Sequence, residues 1–220
     1  MATTRDYGDR TPREAASHVR APRKSLAETR RLSGTPGAIV ATARQLFERD
    51  GVRATTVTAI AREANVTREL VYYHFRNKNG VIEAVIDDYV EDLVESLIAW
   101  NELRVFGDTA GSLAACVRTF RYALYDAEGS PRPMIGVLEE LGVRDAFDVR
   151  ATQETVDCLH SHIATEYAAH HQVEIELVYE MFCVAIFGLV GLVKVRPAIS
   201  DEELMKVVEQ TLRLDMAPVA

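Results

Sequence analysis

The sequence predicts an all-α protein, with an N-terminal three-helix domain that contains a helix-turn-helix and a larger helical domain after it. Proline is absent between Gly37 and Ser130, and Gly80 is the only glycine between Val52 and Phe106. Apolar residues recur every three to four positions, as they do on one face of an α-helix. Runs of alternating β-branched residues, which are typical of strands, are missing from the sequence.

Composition and charge limit the class of protein. The 220 residues are 48% apolar and 26% charged, as in a globular chain. The net charge of -8 is unevenly distributed, because residues 1–90 carry a surplus of four positive charges and residues 91–220 a surplus of twelve negative ones. This asymmetry favours contact between nucleic acid and the N-terminal part, with solvated acidic helix faces as the alternative.

The sequence also bears on localisation and redox chemistry. The first 34 residues lack the apolar core of a signal peptide, and the longest apolar run, residues 181–193, has 13 residues and is too short to span a bilayer. We therefore expect a cytoplasmic protein without membrane contact. Cys116, Cys158 and Cys183 are odd in number and lack CxxC spacing, which predicts buried thiols rather than a redox or metal site.

Residues 1–34 are expected to form a disordered basic arm. They are rich in Arg, Ser, Thr, Ala and Gly, and they carry eight Lys or Arg against four acids. Such an arm can contact DNA phosphates or the minor groove, and a solubilising tail is the alternative.

The first ordered domain is expected at residues 35–80. Thr35 can cap its first helix and Pro36 suits the first turn, while Gly51 can end the helix. The buried face of this helix is predicted from apolar residues at helical spacing, namely Ile39, Ala43, Leu46 and Phe47.

Residues 55–67 fit a helix-turn-helix. Thr56 can cap a short helix, and Thr67 can cap the next one, which runs to Phe75. Asn65 tolerates the left-handed backbone of the tight turn. Small or apolar residues face inward and let the second helix approach closely; they are Ile60, Ala61, Ala64 and the anchor Val66.

The residues from 81 to 220 are expected to form the second, helical domain. A long amphipathic helix should follow Asn77, and Ser200 with Glu203 forms a capping box for the last helix. The further helices are predicted from Thr109 to Asp126, Pro131 to Leu141, Arg144 to His170, Val173 to Val193 and Asp201 to Leu214.

Several spaced elements around the helix-turn-helix occur in a characteristic order. They are ARQLF at residues 43–47, Gly51, TTV at 55–57, Ile60-Ala61, NVT at 65–67, VYYHF at 71–75, and Lys78. With these elements, which cover about a quarter of the chain, the sequence resembles the tetracycline-repressor (TetR) family of transcriptional regulators. After Val90 the resemblance is limited to length and helical character.

The resemblance implies a DNA-binding surface. Arg68 can pair with guanine, Glu69 can accept from the cytosine amino group, and Lys78 is expected to meet the DNA backbone. Tyr72 packing against the motif and His74 capping the helix are alternatives to DNA contact. The residues implied to contact DNA are Thr56, Thr58, Thr67, Arg68, Glu69, Tyr72, Tyr73, His74 and Lys78.

Two departures from the family pattern fall in this region. Glu69 and Leu70 stand where members usually have small residues, and Gly80-Val81 stands where a Leu usually starts the core face of the next helix. An acid in the major groove lowers non-specific affinity, so we expect an altered operator preference.

For the second domain, the resemblance implies ligand binding and dimerisation. We expect a homodimer through the helices from Val173 to Val193 and from Asp201 to Leu214, with an intramolecular core helix as the alternative. A pocket for a small apolar or amphipathic effector is expected between large side chains, each of which could instead be plain core. The candidates are Trp100, Phe120, Met134, Tyr167 and Phe182.

Catalytic, cofactor and metal sites are not expected. His160 and His162 are two residues apart and His170 and His171 are adjacent, so neither pair shares a helix face. The sequence contains no HExxH, GxSxG, P-loop or GxGxxG motif.

The sequence thus predicts a ligand-responsive repressor rather than an enzyme. It would bind a palindromic operator in double-stranded DNA as a dimer and be released by a small effector. The alternatives are a sequence-tolerant DNA-binding protein without ligand control and a helical small-molecule carrier.

Overall fold

The computed structural model is all-α, as predicted. It describes Tyr7 and residues 9–21, 23–25, 28–105, 107–126, 128–169 and 175–214. Within these residues, α1 to α11 are Pro12–Ser17, Gly34–Asp50, Val57–Glu63, Arg68–Phe75, Lys78–Leu103, Thr109–Leu124, Pro133–Glu140, Arg144–Cys158, Thr165–Ala168, Val178–Val195 and Asp201–Leu212, and a π-helical segment, Leu159–Ala164, joins α8 to α9.

Contacts divide the described residues into two units. The first unit contains the described residues up to His18, Thr29–Glu91 and Pro131–Arg150; the second contains those of Val19–Glu28, Asp92–Ser130 and the residues from Ala151 onward. The expected boundary after residue 80 falls inside α5, an uninterrupted helix of 26 residues. Residues 131–150 were expected in the second domain, but they cluster with the first unit.

Local signals place the helix ends in the first unit. Gly51 ends α2 with a φ of 85°, and Asn65 adopts a φ of 52° in the turn between α3 and α4. The start of α2 differs from the prediction: the helix begins at Gly34, and Ser33 rather than Thr35 is its N-cap. The core of this unit is formed by fully buried residues that include Ile39, Phe47, Ile60, Val71, Phe75 and Ile86.

The described residues before Ser33, where a disordered arm was expected, include a helix and buried side chains. Thr11 and Glu14 form a capping box at the start of α1, and Ala15 and Ala16 are buried. The ring of Tyr7 is also buried and lies 5.3 Å from the ring of Phe75, centroid to centroid. These few apolar side chains order the segment because residues far along the chain cover them. Residues 1–6 of the expected arm lie outside the described residues.

A buried ion pair joins three helices of the first unit. Arg150 of α8 donates to the Asp87 carboxylate of α5 at 2.7 Å and to the Ala15 carbonyl oxygen of α1 at 2.9 Å. Both charged side chains are almost completely buried. Breaking such a buried pair by removing one partner is strongly destabilising, so the three helices are held together at this point.

The second unit is built around helices α6, α10 and α11. Its core contains Val94, Leu97, Val156, Leu159, Ile163 and Ile186, with Cys158 buried among them and Cys116 and Cys183 packed against them. An ion pair of 2.7 Å between Arg121 and Asp201 links α6 to the start of α11. The predicted capping box of Ser200 and Glu203 is confirmed.

The helix expected from Arg144 to His170 is interrupted. Its α-helical hydrogen bonds give way to the π-helical segment, Leu159–Ala164, for which the sequence carried no recognisable signal. The helix expected from Val173 to Val193 is observed at Val178–Val195; Val173 and His170 lie outside the described residues.

Helix α10 is longer than the apolar run on which the membrane expectation rested. With 18 residues it is long and apolar enough to cross a bilayer by length and composition, a test that core helices of soluble proteins also pass. Only 22% of it is buried. The large apolar side chains that it exposes are Val184, Phe187 and Val195.

Candidate nucleic-acid interface and internal cavity

Helices α3 and α4 form the predicted helix-turn-helix. The Val66 N–H donates to the Ala61 carbonyl at 2.9 Å, which closes the turn. Thr56 caps α3 by accepting from the Ala59 N–H at 3.1 Å, and Thr67 caps α4 by accepting from the Leu70 N–H at 3.2 Å. Both predicted caps are confirmed.

Most side chains expected to contact DNA lie on the exposed side of this motif. Val71 and Phe75 fill the inward face of α4, so the opposite face points to solvent. His74 and Lys78 are half-buried. The exposed members are Thr56, Thr58, Thr67, Arg68, Glu69, Tyr72 and Tyr73.

Two side-chain pairs order the exposed face of α4. Arg68 donates from Nη2 to the Tyr72 hydroxyl at 3.2 Å, and its guanidinium lies 5.6 Å from the centre of the Tyr72 ring. The Tyr73 and His74 rings meet edge to face at 5.1 Å. The carboxylate of Glu69 accepts from its own backbone N–H and from Thr67, and these bonds lower the pKa of Glu69, which therefore stays ionised.

Lys78 makes an internal contact that its expected role did not include. Its Nζ donates to the Val52 carbonyl at 2.6 Å, and partial burial lowers the pKa of its ammonium group. The loop between α2 and α3 is also held by Glu140, whose carboxylate accepts from the Val52 and Arg53 N–H groups, each at 2.7 Å. Glu140 lies 88 residues from Val52 in sequence. No local signal could have identified it.

The second unit contains a cavity of 740 Å³. Four of the five predicted pocket residues, Trp100, Phe120, Tyr167 and Phe182, line it. Met134 does not, because α7 belongs to the first unit and buries this side chain there. The walls are apolar and include the buried side chains of Leu113, Val117, Leu159, Ile163, Ile186, Leu189, Val208 and Leu212.

A few polar groups interrupt this apolar lining. Trp100 Nε1 donates to the Ser112 carbonyl at 2.8 Å, so its indole is held in place. His160, on the π-helical segment, lines the cavity and packs edge to face on Tyr179. Burial raises the pKa of the lining thiol of Cys116 to about 12, so it is a protonated, inert group. The cavity suits a molecule with a large apolar body.

Metal-ligating side chains are dispersed in the part of the chain that the structure describes. There, no group of three or more His, Cys, Asp or Glu residues could hold a metal ion.

Comparison with known sequences places the helix-turn-helix in a family. A family model described as bacterial regulatory proteins, tetR family, matches residues 39–85. The regulator YvkB of Bacillus subtilis is 39% identical over 51 residues, 23% of this chain and 27% of that protein. The repressor KstR2 of Rhodococcus jostii is 31% identical over 99 residues, 44% of this chain and 47% of that protein. The chain therefore aligns with less than half of each of these two proteins.

Comparison with solved structures extends the likeness to most of the chain. A protein from Mesorhizobium loti assigned to the TetR family has a TM-score of 0.54 and 14% identity, with 81% of this chain and 93% of that chain covered. One from Rhodococcus sp. has a TM-score of 0.50 and 20% identity, with 84% and 100% covered. Superantigen PfiT has a TM-score of 0.50 and 17% identity, with 83% and 96% covered. These structures establish a shared fold, and activity has to be argued from the site.

Proposed function

Because the chain belongs to the tetR family of bacterial regulatory proteins, we propose that it is a cytoplasmic repressor that binds a palindromic operator as a homodimer and leaves it when a small effector binds. The observation that carries the proposal is the capped helix-turn-helix, whose second helix turns Arg68, Glu69, Tyr72 and Tyr73 to solvent. A helix of this kind enters the major groove with its N-terminal residues closest to the bases.

A second copy of the chain is the proposed partner of α10. On this helix the exposed Val184, Phe187 and Val195 and the half-buried Gly188 and Gly191 follow helical spacing and form one face, which we call the apolar stripe. A Cβ placed on Gly188 or Gly191 would meet no described atom within 4 Å. These glycines are thus available for close approach by another helix. A dimer that pairs these faces, with α11 alongside, buries the stripe without a membrane.

The effector is proposed to occupy the cavity of the second unit. Helix α5 carries Lys78, which is expected to meet the DNA backbone, at its start and the cavity-lining Trp100 near its end. A ligand packed against Trp100 would shift this helix and change the separation of the two recognition helices, which must be about 34–36 Å to match one turn of DNA. Binding of the ligand would then weaken binding of DNA, and the reverse, with a coupling free energy of about 1–3 kcal/mol.

Selection of binding sites from random-sequence duplex DNA tests the proposal. The purified protein is expected to enrich an inverted repeat, and a panel of apolar and amphipathic compounds should contain one that releases it. Enrichment of no sequence, together with a steep salt dependence, would indicate a sequence-tolerant DNA-binding protein. Tight binding of a compound by a protein with no affinity for DNA would indicate a carrier.

A further inference from the structure

The recognition helix α4 carries an arginine and a tyrosine one turn apart that contact each other. Arg68 is the first residue of the helix and Tyr72 follows at i+4, so their side chains lie on the same face. The Arg68 Nη2–H donates to the Tyr72 hydroxyl at 3.2 Å while the guanidinium sits 5.6 Å from the ring centroid. We propose that Tyr72 is a positioning residue, which holds the Arg68 guanidinium in the orientation that reads a guanine in the operator.

This inference rests on the proposed function and assigns different roles to two residues of α4: Arg68 contacts the base, and Tyr72 positions Arg68. Bidentate pairing with guanine O6 and N7 requires the guanidinium plane to be fixed. A free arginine side chain loses much rotamer entropy when it is fixed in this way, and a side chain that is already held loses less. Tyr72 supplies a hydroxyl acceptor beside the ring that the guanidinium approaches.

Arg68 and Tyr72 both keep hydrogen-bond donors that can contact DNA while they are bonded to each other. Arginine has five N–H donors, and the contact with Tyr72 engages one of its terminal nitrogens. The Tyr72 oxygen is the acceptor, so its own proton can be donated to a phosphate. Tyr72 would then join a backbone contact to a base contact.

The competing role for Tyr72 is a phosphate contact alone. Phosphate contacts carry no sequence information, so losing one weakens binding to every duplex by a similar factor. Losing a positioning contact instead lowers the preference for the guanine over other bases. The ratio of affinities therefore separates the two roles.

Tyr73 provides a matched control on the same helix. It is more exposed than Tyr72, 69% against 39%, and its ring packs on His74 rather than on an arginine. Tyr73→Phe and Tyr72→Phe each delete one exposed hydroxyl and keep the ring. Only Tyr72→Phe removes the acceptor of Arg68.

The experiment measures the affinity of the full-length protein for three kinds of DNA. They are the duplex that it selects from random-sequence DNA, single-base variants of that duplex, and an unrelated duplex. Arg68→Ala should abolish the preference for guanine at one position in each half-site. Tyr72→Phe should reduce the preference at that same position about 3- to 10-fold, the effect of one hydrogen bond. Tyr73→Phe should weaken all duplexes together and keep the preference. In the Arg68→Ala background, Tyr72→Phe should have no further effect on the preference for guanine.

Three results would overturn the inference. Equal loss on every duplex in Tyr72→Phe would assign Tyr72 to phosphate contact alone. An unaltered preference in a variant with native circular dichroism would show that Arg68 reads its base without help. Failure of the wild-type protein to select any sequence would instead remove the proposed function, and this inference with it.

Discussion

At the residue scale, threonine hydroxyls determine where the helices of the DNA-binding motif begin. Thr56 and Thr67 each accept from a backbone N–H in the first turn of the helix that follows. Thr58, the second residue of α3, is exposed. All three were predicted to contact DNA, and two of them have a structural task as well. A single substitution at either cap therefore affects stability, and it would also affect the proposed DNA contact.

We expect Thr56→Ala to lower the free energy of unfolding by about 1 kcal/mol, since it removes an N-cap acceptor. Thr58→Ala is the matched change on the same helix and should alter stability by no more than about 0.5 kcal/mol. Urea unfolding of both variants measures the difference. Equal stability of the two variants would show that the cap at Thr56 contributes nothing.

The side chain of Glu140 stabilises the loop between α2 and α3, although it lies 88 residues from Val52 in sequence. The N–H groups of Arg53 and Val52 bond its carboxylate and hold the pKa of Glu140 below its ordinary value of 4.5. A carboxylate with a lowered pKa stabilises the folded state above pH 4.5, and this contribution disappears as the pH falls through the folded-state pKa.

Glu140→Gln should therefore be less stable than wild type above pH 4.5, and the difference should shrink on acidification. Urea midpoints measured from pH 7 down to pH 3 test this. Glu139→Gln is the control, because it neutralises an exposed carboxylate one residue earlier and keeps both hydrogen bonds. A difference that stays constant with pH would contradict the assignment.

At the element scale, the residues before α2 belong to the folded first unit. Tyr7 packs on Phe75, the last residue of the recognition helix, and Asp9 accepts from the Asn77 side chain at 3.1 Å. Arg10 pairs with Glu83 of α5 at 2.6 Å. Residues that lie before position 39, where the family match begins, thus support the C-terminal end of α4, which lies within the match.

Tyr7→Ala should destabilise the first unit by about 2–4 kcal/mol, as expected when a buried aromatic ring is removed. Tyr7→Phe keeps the ring contact and should cost about 1 kcal/mol or less. Hydrogen exchange of the α4 amides, followed alongside urea unfolding, would report the change. If Tyr7→Ala left both unchanged, the segment would be a mobile arm after all.

The elements that could be predicted from sequence are those with local signals. Gly51, Asn65, the two threonine caps and the Ser200 capping box each act within four residues, and each was identified correctly. The order of residues 9–18 and the burial of Met134 depend on partners far along the chain. The composition of the residues before α2 resembles that of a disordered tail, because the segment has only a few apolar side chains and residues far along the chain cover them.

At the scale of the whole molecule, the apolar stripe on α10 is a surface that the described residues of a single chain leave partly uncovered. Val184 is 58% exposed and lies on the stripe; Val149 of α8 is 47% exposed and lies in the first unit. Both are exposed valines in helices, so they allow a matched comparison.

Val184→Glu should place a charge in the proposed dimer interface and convert the protein to a monomer of 24.5 kDa. It should also weaken operator binding by about 100-fold or more, because the two half-sites are no longer bound together. Val149→Glu should remain dimeric. Light scattering after size-exclusion chromatography decides, and a Val184→Glu variant of twice the monomer mass would rule out this interface.

The buried contact between Arg150 and the Ala15 carbonyl also constrains how the chain is made. The two residues are 135 positions apart, so at a synthesis rate of about 5–20 residues per second the ribosome needs roughly 7–27 s to deliver the arginine. During this interval α1 and α5 exist without the Arg150 side chain that contacts both of them. Completion of the first unit therefore waits until two-thirds of the polypeptide has been synthesised, and a chain released before Arg150 would lack the hydrogen bond that Arg150 donates to Asp87.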